Sequence, residues 1–170
     1  MYNISYSHKG KVDATQNKLI VNIQSVDYQN RNLPVIQHDL LIDTGAFITI
    51  LNKANAEERG YPIIDEKGCA ISGFSQQGLL CDVRKIPVII FCGFTIKDVI
   101  IATPHDDNVM VSEVLGMNVL ENFDFGLSQT NDELYLNKRA SFVSEKPKYK
   151  SGEVSLLADE NYSPTPSTTC

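Results

Sequence analysis

The chain has 170 residues, 42% of them hydrophobic, enough for one domain with its own core plus a tail, without help from a metal or a disulfide framework. Its 15 basic and 21 acidic residues give a formal net charge of −6, which argues against nucleic acid or an anionic membrane as the main partner. The longest apolar runs, such as Val88–Cys92, fall far short of a bilayer span, and Met1–Asn17 is polar and unlike a signal peptide, so a cytoplasmic protein is expected.

In chain order, residues 1–17 read as a loose polar arm. Lys18–Val26 is apolar and β-branched and predicts a strand; Tyr28–Asn32 is a polar turn; Leu33–Ile42 predicts a second strand that runs straight into Asp43-Thr44-Gly45. Phe47–Leu51 is again apolar and β-branched. Asn52 is a candidate N-cap for a short helix over Lys53–Arg59, Gly60 supplies a left-handed C′ residue, and Pro62 blocks continuation. Gly68–Ile71 and Leu79–Val83 read as the arms of a hairpin whose tip is the small, flexible stretch Ser72-Gly73-Phe74-Ser75-Gln76-Gln77-Gly78. Ile86–Cys92 and Phe94–Ala102 predict two strands joined tightly at Gly93, followed by a polar loop over Pro104–Asn108. An apolar stretch then leads to Val114-Leu115-Gly116. Met117–Asn122 suits a short helix, and Phe123–Leu127 with Glu133–Leu136 predicts a last hairpin turned at Thr130-Asn131-Asp132. From Ser141 to Cys170 the composition shifts to Ser, Thr, Pro, Glu and Lys, which reads as a flexible tail after a domain over 18–140. Many short strands, Gly and Pro turns and little helix predict a mostly-β closed barrel of six or more strands with one or two short helices.

The chemistry concentrates at Leu40-Leu41-Ile42-Asp43-Thr44-Gly45-Ala46. A carboxylate directly after an apolar strand is costly unless it is paired or shares a proton. The triplet alone favours a turn, in which Asp accepts backbone hydrogen bonds and Gly relaxes the chain. Its context is more specific. Thr49 and the aliphatic pair Ile50-Leu51 follow it, then a hairpin with a Gly-containing tip, and Val114-Leu115-Gly116 comes about seventy residues on.

In these elements and their order, over roughly Lys18–Asn137, the chain resembles the retropepsin-like aspartic proteases, particularly their single-domain cellular and bacterial members. The resemblance implies an aspartic endopeptidase with Asp43, Thr44 and Gly45 at the catalytic centre. Thr44 would brace paired loops across a dimer axis, and Gly45 would allow close backbone approach. It implies substrate contacts at Ala46 and at a flap carrying Ser72, Gly73 and Phe74, with Thr49, Val114, Leu115 and Gly116 as support behind the loop. The flap departs from the Gly-rich flap of viral relatives, and Phe47 stands where an acidic residue often follows Ala in them; both bear on subsites rather than on the Asp.

Such a reaction needs two carboxylates, and no second Asp-Thr-Gly or Asp-Ser-Gly occurs in a chain far too short for two lobes. A two-fold homodimer that sets Asp43 beside Asp43 of its copy is the simplest solution. A dimeric binding or assembly module that cuts little or nothing is the alternative. Expected partners are therefore a second copy and a protein or peptide substrate, with no nucleic acid and no membrane. No cofactor or metal is expected: the four cysteines lack zinc or redox spacing, and His8, His38 and His105 are scattered. Cys69 and Cys81 lie on the two arms of the predicted flap, where a disulfide could form, but free thiols are the commoner state.

Overall fold

A computed structural model describes residues 8–13, 19–25, 36–72, 78–128 and 130–139. Its elements are β1 (His8–Asp13), β2 (Ile20–Ser25), β3 (Ile36–Ile42), β4 (Thr49–Ile50), α1 (Lys53–Glu58), β5 (Ile63–Ile71), β6 (Leu79–Phe91), β7 (Phe94–Pro104), β8 (Val114–Leu115), α2 (Met117–Leu120), β9 (Phe123–Ser128) and β10 (Glu133–Lys138). Strands β6, β7, β4, β8, β3 and β2 are neighbours in that order, and β2 pairs back onto β6 at Gln24↔Ile90 and Ser25↔Ile89. The ring therefore closes into a six-stranded barrel, which leaves no open edge among those strands. Outside it, β5 extends the sheet from β6, and β1 joins β2 to the β9–β10 hairpin.

Alternation directs the side chains. In β2, Val21, Ile23 and Ser25 face inward, and in β3 His38 and Leu40 do. The interior divides into two apolar clusters. One gathers Val21, Ile23, Leu40, Phe91, Leu115, Leu120 and Leu136. The other gathers Ile48, Ile50, Ile71, Val83, Ala102 and Val114, with Ala46 and Leu79 packed against it.

Four sequence expectations are revised. His8–Asp13, read as part of a loose arm, is strand β1, whose pairing with β10 is too distant in sequence for local pattern to reveal. Leu79–Val83 and Ile86–Cys92, read as separate strands, are one thirteen-residue strand. Pro87 does not end it: the register with β7 runs through Ile86↔Val99 and resumes at Val88↔Lys97, with the Pro87 position itself left out and Asp98 across from it at φ 51°. Strand β5 starts at Ile63 rather than Gly68, passing register shifts between Ile63 and Asp65 and between Asp65 and Cys69. Asn52 occupies the N-cap position, but its side chain makes no cap bond. It binds the backbone of Val111 instead, Nδ2 to O at 3.0 Å and Val111 N to Oδ1 at 2.9 Å, while Glu113 Oε1 accepts Asn52 N–H.

Candidate active site

Strand β3 delivers Asp43 to the end of the barrel. Its pairing is parallel to β8, with Leu41↔Val114 and Ile42↔Leu115, and the ladder continues one step further, Asp43 N–H donating to Leu115 O at 3.2 Å. The chain then turns. Ala46 N–H donates to Asp43 O at 3.3 Å, and Gly45 N–H donates to Asp43 Oδ1 at 2.8 Å. The Asp43 side chain is half-buried and takes this one hydrogen bond among the described residues, so most of its acceptor capacity faces outward. Thr44 and Gly45 are exposed at the turn.

The loop is held from behind. Met117 N–H donates to Ala46 O at 2.8 Å and Asn118 N–H to Phe47 O at 3.0 Å, so the first turn of α2 satisfies its own free donors with loop carbonyls. Asn118 Oδ1 accepts both Thr49 N–H, at 2.8 Å, and Thr49 Oγ1–H, at 3.0 Å, while its Nδ2 donates to Ile100 O at 2.8 Å. Thr49 Oγ1 in turn accepts Gly116 N–H at 3.1 Å. Gly116 permits this crossing. A Cβ there would lie 2.4 Å from Ile48 C and 2.8 Å from Thr49 N, contacts no side chain tolerates.

Of the residues singled out from sequence, Asp43, Thr44, Gly45, Ala46, Thr49, Val114, Leu115 and Gly116 lie together at this end of the barrel. Ser72 is an exposed turn residue at the end of β5; Gly73 and Phe74 lie outside the described residues. Cys81 and Cys92 are free thiols, so a Cys69–Cys81 bridge is absent although the two face each other across the β5–β6 pair. Burial pushes the Cys81 thiol up to about 12, with Asp82 adding to it, and Cys92 to about 11, so neither is a ready thiolate.

Sequence reading passed over Asn118, the hub of the support. Its signal was a carboxamide inside the apolar stretch Val114–Leu120, which a short-helix reading absorbs as surface. It also passed over a buried network beside the first cluster. Arg59 Nη1 donates to His38 Nδ1 at 2.9 Å, which leaves the proton of the neutral ring on Nε2, donating to Tyr61 Oη at 2.9 Å; Tyr61 Oη–H donates to Ser25 Oγ at 2.6 Å. Burial and the adjacent Arg59 guanidinium lower the His38 pKa to about 4. Among the described residues no group of three or more His, Cys, Asp or Glu is placed to hold a metal ion, and no helix is long and apolar enough to cross a membrane.

No protein-family model and no curated protein sequence matches this chain. Among solved structures it is similar to a retropepsin-like aspartic protease from Rickettsia conorii, at 18% identity and a TM-score of 0.53, over 80% of this chain and 96% of that chain. The likeness spans nearly the whole of that protease, and it accords with the closed barrel, the two short helices and the parallel β3–β8 pair leading to Asp43: this chain has the retropepsin-like fold.

Proposed function

We propose that the protein is an aspartic endopeptidase that acts as a homodimer, with Asp43 of each copy forming the catalytic pair. The observation that carries this reading is the contrast at Asp43: a half-buried carboxylate with one hydrogen bond among the described residues, on a loop whose backbone is held by α2, Thr49 and Asn118. Positioned groups with spare acceptor capacity suit chemistry better than a solvated turn does.

In this mechanism the two Asp43 carboxylates share one proton, because like charges about 3 Å apart do not both ionise readily. The ionised member accepts a proton from a water molecule as that water attacks the scissile carbonyl. The protonated member donates to the carbonyl oxygen, and a proton then passes to the leaving amine as the C–N bond breaks. The pair titrates as a unit. Thr44 braces the two loops, Gly45 gives the substrate backbone room, and Ala46, Ser72, Gly73 and Phe74 contact an extended peptide. The protein works in the cytoplasm under this reading.

Asp43→Asn tests it. The substitution should lower cleavage of a peptide library by roughly three orders of magnitude, while light scattering still finds a folded dimer. Wild-type protein that is dimeric and cleaves nothing would instead support a binding module, and a wild type that is monomeric while cleaving would sink the paired-carboxylate mechanism.

A further inference from the structure

Strand β6 parts from the barrel at one place. It pairs with β7 from Phe91 back to Cys81, which lies opposite Pro104; beyond Cys81 the ladder partners of Leu80 and Leu79 are Ala70 and Ile71 of β5. Next to the parting point sits Asp82, 1% exposed. A carboxylate that deep requires partners. Asp82 Oδ1 accepts Lys67 N–H at 2.9 Å and His105 Nδ1–H at 2.8 Å.

Each partner belongs to a different segment. Lys67 is the left-handed residue, φ 54°, in the irregular stretch of β5, a conformation an L residue adopts only when something holds it. His105 follows β7; its N–H donates to Leu80 O at 2.9 Å and its carbonyl accepts Lys53 Nζ of α1 at 2.8 Å. The Asp82 carboxylate therefore joins Lys67 of β5 and its own strand β6 to the His105 imidazole, while the His105 backbone N–H and carbonyl join Leu80 and α1. Beyond this point Ile71 and Leu79 pack in the same apolar cluster as Ala46, so the angle of the arms is felt beside Asp43.

We propose that Asp82 and His105 form a joint that positions the β5–β6 hairpin relative to the Asp43 loop and so sets affinity for an extended peptide; the affinity part rests on the protease reading above. Both are positioning residues. Asp82 acts through Lys67, and the His105 side chain acts through Asp82.

The test compares His105→Ala with His105→Gln in the full chain, since His105 is partly exposed and its backbone bonds survive either change. Amide hydrogen exchange is read at residues 69–71 and 79–81, and KM and kcat are read on a library peptide that the wild type cleaves. Losing a hydrogen bond to a buried carboxylate should speed exchange at the arms about tenfold and raise KM about tenfold with kcat within about twofold. His105→Gln, which keeps an N–H donor, should recover most of both. Unchanged exchange in His105→Ala, or an equal defect in His105→Gln, overturns the joint. Faster exchange with unchanged KM overturns its link to affinity. A wild type that cleaves no peptide fails the protease reading alone, and the exchange comparison still decides whether the joint exists.

Discussion

His38 and Asp43 come from the same strand, one within β3 and the other at its end, and their surroundings differ in kind. His38 is 3% exposed, and both ring nitrogens are engaged, by Arg59 on one side and Tyr61 on the other. Asp43 is half-buried with a single side-chain hydrogen bond among the described residues, while the groups around it bond to one another. The comparison separates two uses of a polar residue. Where every donor and acceptor is consumed and the charged form is disfavoured, the group holds the fold together. Where the backbone is fixed and the side chain left open, the arrangement suits reaction. Variants that touch one region and spare the other should show whether the division holds.

Gly116→Ala should do the most damage, and on the Asp43 side. Its new Cβ would meet the Ile48 and Thr49 backbone, which cannot move aside as a side chain could. The expected loss is about 3 kcal/mol or more in urea unfolding, together with most of any peptidase activity, since β4, β8 and the Asp43 loop must all shift. A variant as stable as the wild type would mean that the loop is far softer than its contacts imply.

Asn118→Ala should come next, at about 2 to 3 kcal/mol. It strips the buried Thr49 of an acceptor for two donors and leaves Ile100 O without its side-chain donor. Catalysis should fall further than stability does, because the loop that carries Asp43 loses its support from behind. An equal fall in both would make Asn118 a fold residue like those around His38.

On the His38 side the lever is pH. The folded pKa of about 4 lies below the ordinary imidazole value of 6.5, so the unfolded chain binds the proton more readily. The sign follows. Stability from this site is full above about pH 6.5 and is lost as pH falls toward 4, amounting to about 2 kcal/mol by pH 5. The groups facing the ring are Arg59, Tyr61 and Ser25, with Glu113 and Asp39 acting on it at longer range and favouring the proton. Urea midpoints measured from pH 7.5 to 4.5 should therefore decline, and His38→Gln should flatten the decline. An unchanged slope in His38→Gln would assign the acid sensitivity to carboxylates elsewhere.

The same two regions mark what could be read from the chain. Strands β2, β3, β7, β9 and β10 and both helices were legible because period-two patterns, Gly60 and Gly93 are local signals. The closed barrel followed from many short strands. The β2–β6 closure, the β1–β10 pairing and the continuity of β6 through Pro87 were not legible, since each depends on a partner distant in sequence. At the site, Asp43-Thr44-Gly45 and Val114-Leu115-Gly116 stood out, and the barrel brings them into hydrogen-bonding contact. Asn118, Asp82, Arg59 and Tyr61 did not stand out: a lone polar residue in an apolar stretch reads as surface until its burial is known. Asp82, inside the arm Leu79–Val83, falls by alternation on the face opposite Cys81 and Val83, where a polar residue is expected, and only its 1% exposure shows that this face is covered.

Gly60→Ala should have the smallest effect, and it separates backbone conformation from packing on the His38 side. Gly60 follows the C-cap Arg59 at φ 68°, with its N–H donating to Glu57 O at 3.0 Å, and a Cβ placed on it would meet nothing within 4 Å. No clash contributes, so the cost is the left-handed conformation alone, about 1 kcal/mol in urea unfolding. Asn, which tolerates that conformation better, should recover part of it. Arg59 and Tyr61 flank the position and both bond within the His38 network. If Gly60→Ala cost much more than this, or steepened the loss of stability below pH 6.5, the turn would be setting the geometry around His38 rather than merely ending α1. An effect of about 1 kcal/mol with an unchanged pH slope would leave that geometry to the side-chain bonds themselves.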